Sequence, residues 1–445
     1  MKDKYLILFA IFIIIIIYTN YDNIKIWLLN RIIFNRGILA PNRFWYLISD
    51  LFLSDGTGID LYNDYKNKYG DFSKATMFNE ELYIVTNVNY IKTILDNSPN
   101  IFGVGKIKHK FFNQFMPKNV GVSTGCPWMK RRKINENALD TDKLHRYSET
   151  YNKILSDYLF NNKKDNYEFN DFNKLSRYMT TKIIFNKDKI NDDVFNYLSE
   201  VNDSELFINP NFKVKQSIKD NFINTIKENI DNPESQSLIE LCLSISDDKE
   251  EIYNQIPHFI FPISGLFITT IPRILIMIFN HDDIFKKIIN EINSISNNST
   301  SIYNSKILRY CVLETLRLIN PLITTFRTLL SDYRFDDNYK FKKDTQFLIL
   351  NNPVLRENEY FNEPNKFIPE RWSNEMEESY YAIMFNQGPQ KCPSKELVIF
   401  LCQSFIYHFF KIHMINDKTK IDINKIDIDK IPQTTNPFSF KIKIN

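Results

Sequence analysis

Cysteine is scarce and unpatterned in this sequence. The five, Cys126, Cys242, Cys311, Cys392 and Cys402, are odd in number, far apart and include no Cys-x-x-Cys pair. That argues against a disulfide framework or a zinc site and for a reducing compartment. Six scattered histidines supply no His-x-x-x-His pair either. An excess of one charge is also missing: 56 basic residues face 53 acidic ones, and a net +3 gives no electrostatic case for a nucleic-acid partner. Only 10 residues are glycine, beside heavy use of Asn, Ile and Lys; we read this as coding bias and draw no function from it.

What the chain has is apolar mass. With 43% hydrophobic and 15% aromatic residues a sizeable core is possible, and 445 residues would by length alone divide into two or three domains. The first apolar block, Tyr5 to Tyr18, is uninterrupted and follows Lys2 and Lys4. As a helix it would span about 21 Å against about 30 Å of hydrocarbon, short for a full crossing unless Thr19 to Tyr21 join it. No small-x-small cleavage site follows, so residues 1–21 read as an uncleaved membrane anchor rather than a secretory signal. Lys25, Arg31 and Arg36 follow the run, so charge does not set its orientation. Residues 22–41 form a linker whose apolar-basic stretch, Ile24 to Phe34, could lie in the membrane interface.

The rest of the chain is organised around residues 385–394, FNQGPQKCPS. Gly388 stands four residues before Cys392, and each has a proline beside it, which describes a tight loop able to bring a thiolate close to a large flat cofactor. Glu396, Leu397, Ile399, Phe400 and Phe405 then follow helical spacing. Cys392 would thus sit at a helix start, where backbone dipoles stabilise a thiolate. Alone, such a loop fits an ordinary buried cysteine about as well as an axial iron ligand. Its upstream company favours the ligand. Glu314 and Arg317 lie three apart on a helix among Val312, Leu313, Leu316 and Leu318, and a buried pair there needs a further partner. Arg371, in the segment Phe367-Ile-Pro369-Glu370-Arg371-Trp372, can be that partner.

Phe385-x-x-Gly388-x-x-x-Cys392, preceded by Glu314-x-x-Arg317 and then Pro369-Glu370-Arg371, resembles the haem-binding loop and charged three-way lock of the cytochrome P450 family. The resemblance implies one large, mainly α-helical unit with a small β-sheet region over residues 42–445, overriding a division by length. It implies haem b (iron protoporphyrin IX) with Cys392 as metal ligand and Phe385 and Gly388 at the cofactor. Trp128 and Arg132, four apart on one helical face, stand where the family binds a haem propionate, with Lys130, Arg131 and Lys133 turned away; a merely solvated basic face is the alternative. Arg327 matches another propionate-binding arginine, whereas Gln390 replaces a usual base and Ser394 a usual glycine. Strands between Gly70 and Thr86 and a helix from Val88 to Leu95 would form the family's N-terminal sheet region.

Pro257 to His281 should be the long helix crossing the distal haem face. There the family pattern keeps Thr269, with Gly265 as the small residue, but Leu266 replaces a glycine and Ile268 replaces the acid. Oxygen activation needs protons delivered to a buried oxygen, and isoleucine cannot relay one. Thr269 is the catalytic candidate, either ordering water or bonding back to its own helix. Substrate-facing stretches would be Phe102 to Met116, Phe259 to Phe267, Leu322 to Phe326 and Thr434 to Phe438, with Asn209-Pro210-Asn211 separating two roof helices. Lys391 and Lys395, with the basic residues after Trp128, would make a positive proximal surface for a flavoprotein reductase. The resulting expectation is a membrane-anchored monooxygenase, its haem domain cytosolic, acting on a lipophilic substrate. Two further readings keep the haem: a peroxygenase or hydroperoxide-rearranging enzyme, because of Ile268, and a non-catalytic haem-binding membrane protein.

Overall fold

A computed structural model describes residues 62–63, 66–67, 69–77, 80–112, 118–202, 214–322, 324–423 and 441–445. The anchor 1–21, the linker 22–41, the 209–211 turn, the substrate stretch 434–438 and residues 113–116 of the first substrate stretch lie outside them. Alternating side chains in the N-terminal third form strands β1 (Phe72–Met77), β2 (Glu80–Val85) and β3 (Phe102–Val104), with a helix Val88–Asp96 between the last two. Asn87 starts that helix by accepting the Asn89 N–H, and Ile91, Ile94 and Leu95 form its buried face. Further along come β4 (Asn166–Glu168), β5 (Thr324–Leu329), β6 (Tyr333–Arg334), β7 (Lys340–Phe341), β8 (Gln346–Leu350), β9 (Ile421–Ile423) and β10 (Lys441–Ile444). The main sheet has the order β1-β2-β8-β5-β3, with β8 fully buried at its centre and parallel to β2. Its register sets Arg327 of β5 opposite Val104, just before the short helix Lys106–Phe112.

The remaining layers are helical, as expected of a mainly α fold. The longest element, Lys249–Phe279, begins eight residues before the expected Pro257, because Asp248 caps it through the Glu251 N–H and Glu250 and Glu251 favour its first turn. It ends at Phe279, short of His281. An 18-residue stretch of it with a mean hydropathy of 1.8 would suffice to cross a membrane, but here it is part of a core helix packed among its neighbours. Pro272 lacks the N–H that would bond to Ile268, and the preceding turn widens into a π-helix, Leu266–Thr270, closed by Ile271 N–H to the Leu266 carbonyl.

The helix Lys306–Leu318 packs on the later helix Lys395–Ile412 and on the Pro369–Arg371 turn. It carries the charged lock as expected. Glu314, fully buried, accepts Arg317 Nε and Nη2 at 2.8 Å, Arg371 Nε at 3.0 Å, Trp372 Nε1 at 3.0 Å and the Ile368 N–H at 3.0 Å. Arg317, equally buried, spends its other N–H groups on the carbonyls of Leu355, Pro364 and Lys366. Every donor of the guanidinium is therefore used. Replacing Arg317 by Met should cost about 3–5 kcal/mol in urea or thermal unfolding, because Glu314 keeps its charge and loses its main partner. Arg317→Lys should rescue little, since an ammonium cannot fill three carbonyls and a carboxylate at once.

Candidate cofactor site around Cys392

Cys392 is the only cysteine in the tight loop, and its burial sets it apart from three others. Cys242, Cys311 and Cys402 are fully buried, and desolvation raises all three thiols, Cys242 to about 12, so none offers a thiolate. Cys126 is exposed at the start of a helix, and Cys392 is half-buried. The loop around Cys392 is held by backbone strain and close approach. Gly388 has φ +70°, and a Cβ there would stand 2.6 Å from the Leu95 carbonyl oxygen, so only glycine fits. Asn386 holds φ 60° and ψ 176°, a region that side chains avoid at a cost of about 1–3 kcal/mol. The Cys392 N–H closes the loop on the Phe385 carbonyl at 2.8 Å. The Gln387 amide donates to the Glu377 and Ser379 carbonyls, and Thr141 donates to that of Pro393.

Cys392 stands three residues before the helix Lys395–Ile412, one turn earlier than a true helix start. Ser394 brings its hydroxyl within 3.3 Å of the sulfur; to a thiolate it can only donate. A second clamp was not legible in the sequence. Arg309 forks to Glu377 and reaches Glu396, which also accepts the Tyr303 hydroxyl. Arg309 and Glu314 share one helix, so the lock and the loop are braced from the same element.

The other predicted contacts converge on a basic cluster. Arg132 is buried, donates to the Lys391 carbonyl at 2.6 Å and to Glu136 at 2.7 Å, and leaves its Nη2 without an acceptor. Trp128, on the same face, is half-buried. Arg327 bonds only neutral groups, Ser98 Oγ and the Phe326 carbonyl, and burial lowers its pKa to about 10. Two bases that sequence reasoning missed complete the cluster. A methyl on Gly121 would stand 3.7 Å from His258 Cε1 and 3.8 Å from Lys108 Nζ, so these groups meet over that glycine. Burial, with Arg327 nearby, lowers Lys108 to about 8. Burial, then Lys108 and Arg132, lowers His258 to about 4. Glu136 is the only carboxylate bonded to any of these four bases among the described residues. The run Lys106-Ile-Lys108-His-Lys110 was the available signal, but spacing alone does not say which base turns inward.

Such a set fits a flat cofactor with two acidic groups on one edge. Haem fits that description: Lys108, Arg132, His258 and Arg327 would hold its propionates and Cys392 its iron. Gln390 is half-buried and brings no charge. On the distal side Thr269 donates its hydroxyl to the Gly265 carbonyl at 2.7 Å, so the back-bonding alternative is realised. In the stretch Phe259 to Phe267, Phe259 and Phe267 pack into the core, while Phe261 and Gly265 remain accessible.

The proximal surface departs from expectation. Lys130 pairs with Asp248, Lys391 with Asp142, and Lys395 with Glu377 and Glu378, so these three charges each have an acid beside them, while Lys133 is exposed. Arg131 does not turn away; it forks to Glu251 on the long helix at 2.7 and 3.0 Å, because that helix's acidic first turn lies alongside.

The family model described as Cytochrome P450 matches residues 39–219 and 192–442. A beta-amyrin 28-monooxygenase of Solanum lycopersicum is 35% identical over 118 residues, 26% of this chain and 25% of that protein. A taxoid 2-alpha-hydroxylase of Taxus canadensis is 26% identical over 196 residues, 40% of this chain and 39% of its own. The human protein cytochrome P450 4V2 is 26% identical over 179 residues, covering 37% and 34%. The chain thus aligns with about a quarter to two fifths of these relatives. Among solved structures, a retinoic acid-bound cyanobacterial CYP120A1 superposes with a TM-score of 0.69 at 15% identity, covering 87% of this chain and 94% of that one, which shows the fold.

Gly388→Ala should destabilise the loop by about 2–4 kcal/mol and reduce haem retention, whereas Asn386→Gly should relieve strain and raise the melting temperature; calorimetric melting and haem content check both. Lys108→Met should release haem roughly tenfold faster. In the wild type haemin affinity should fall as pH rises through about 8, where the ammonium that holds an anion is lost, and the Met variant should lack that step. Stopped-flow transfer of haem to an acceptor protein measures both.

Proposed function

This chain belongs to the cytochrome P450 family, and from that premise we propose that it is a haem-thiolate monooxygenase acting on a lipophilic substrate with electrons from a flavoprotein reductase. The observation that carries the reading is one accessible loop thiol, Cys392, beside a cluster of buried and half-buried bases tied to that loop through Arg132 and the Lys391 carbonyl. Haem b, bound through a thiolate, supplies the capacity to activate dioxygen and insert one oxygen atom. The residues of the chain fix the setting. Cys392 provides the electron-rich ligand, and the Ser394 hydroxyl moderates it by donating to the sulfur. Lys108, Arg132, His258 and Arg327 would hold the propionates, while the strained Phe385–Cys392 loop fixes the position of the thiol. We place residues 42–445 in one haem unit, tethered by residues 1–21 as a membrane anchor with the haem unit on the cytosolic side.

A second reading has its own support. Ile268 cannot carry a proton, and the Thr269 proton is engaged with the Gly265 carbonyl, so the distal helix offers no relay from its usual positions. A hydroperoxide arrives already reduced and needs no such relay. The reductase surface is likewise a balanced one, which favours docking that depends only weakly on salt.

Reduced under carbon monoxide, the purified protein should show the red-shifted Soret band of thiolate ligation, and Cys392→Ala should lose it. Absence of the band in folded, haem-supplied wild type would overturn the haem-thiolate reading. Turnover with reductase and dioxygen supports the monooxygenase; inertness there with product from a hydroperoxide would replace it by the second reading.

A further inference from the structure

Between residues 254 and 278 the long helix is buried except along one stripe, His258, Phe261, Pro262, Gly265, Ile268, Thr269 and Arg273. These recur three or four residues apart and share a face. A Cβ on Gly265 would meet no atom within 4 Å, so the stripe borders open volume rather than packed protein. Its N-terminal end belongs to the basic cluster, where His258 meets Lys108 over Gly121. Its other end carries Arg273.

Arg273 is unlike the structural arginines of this fold. Arg317 has an acceptor for every N–H, and Arg309 forks between two carboxylates. Arg273 is flanked by buried Pro272, Ile274 and Leu275, and its Nε is sealed from solvent with no acceptor. Among the described residues no carboxylate pairs with it, and burial alone lowers its pKa to about 10. A helical side chain leans toward the N-terminus, so Arg273 reaches back over the turn that carries Thr269; the π-helical turn Leu266–Thr270 sets its phase on the stripe. Leaving a guanidinium unpaired in such surroundings is costly unless an anion joins it.

Building on the haem-thiolate reading, we propose that Arg273 anchors the carboxylate of an amphiphilic substrate, an organic acid with a long or polycyclic apolar body. A carboxylate rather than a phosphate follows from charge and donors. One guanidinium balances one negative charge in a planar fork. The neighbours Phe261, Pro262 and Ile268 donate nothing from their side chains, and the Thr269 hydroxyl already donates to Gly265, so a dianion would keep unmatched charge and acceptors. The apolar stripe then receives the hydrocarbon body.

The test titrates full-length, haem-loaded protein with dodecanoate, hexadecanoate, methyl dodecanoate, dodecanol and dodecyl phosphate, read by isothermal calorimetry and by the Soret shift. The acids should bind about tenfold tighter than the ester and alcohol. Arg273→Met should abolish that preference while binding the ester as before, and Arg273→Lys should retain part of it. Without ligand, Arg273→Met should melt at a higher temperature than wild type, because it removes a guanidinium whose Nε is sealed without an acceptor; a structural arginine would give the opposite sign. Equal binding of acid and ester, no binding of the acids, tighter binding of dodecyl phosphate, a preference that survives in Arg273→Met, or a lower melting temperature of that variant would overturn the proposal. The acid-to-ester comparison on wild type decides the matter even where a variant fails to fold. A thiolate Soret band without acid preference removes the Arg273 site alone. Loss of the band removes the haem reading, and calorimetry still reads the acid preference.

Discussion

The fold rests on a single buried carboxylate. Glu314 gathers Arg317, Arg371, the Trp372 indole and the Ile368 amide, and thereby joins a helix interior to a turn more than fifty residues away in sequence. Fully desolvated charges on this scale are tolerated only when each donor and acceptor is matched, and here they are. The same helix holds Arg309, whose carboxylate partners brace the start of the cysteine helix and the segment under the loop. Rigidity is thus delivered to Cys392 from behind, through charge-assisted bonds rather than through loop packing alone.

The bases on the other side of the loop follow the opposite logic. Buried Arg132 and Arg327 and half-buried Lys108 and His258 gather with one carboxylate beside them, and desolvation pushes Lys108, His258 and Arg327 toward neutrality. In the protein alone this is destabilising. A bound dianion would reverse the sign and so link binding at these bases to folding. Loop strain at Asn386 fits the same economy, since a backbone held away from its preferred region persists where surrounding contacts overdetermine it.

Much of this was legible from spacing. Phe385, Gly388 and Cys392 lie within one short segment, and Glu314 and Arg317 within one helical turn, so local geometry fixed their relations. The strands between Gly70 and Thr86 and the helix at Val88 were likewise local patterns. Arg131 was misread, because helical periodicity shows which face a residue occupies and not that Glu251 waits there. The positive proximal surface failed for the same reason: Asp142, Asp248 and Glu378 come to the lysines from distant parts of the chain. The long helix was placed correctly but begun too late, since prolines at 257 and 262 are accommodated inside it.

By itself the sequence determined the loop thiol and the charged lock, because both depend on residue identity at short spacing. The identity of the thiol, the need for glycine before it and the loss of an acid at Ile268 are of this kind. Tertiary structure alone decided which charges are paired. Arg273 and Arg317 are the same residue type on apolar helices, yet one has all its donors filled and the other has a sealed Nε with no acceptor. Pairing and desolvation depend on distances through space between residues remote in the chain, and no periodicity along the chain encodes them.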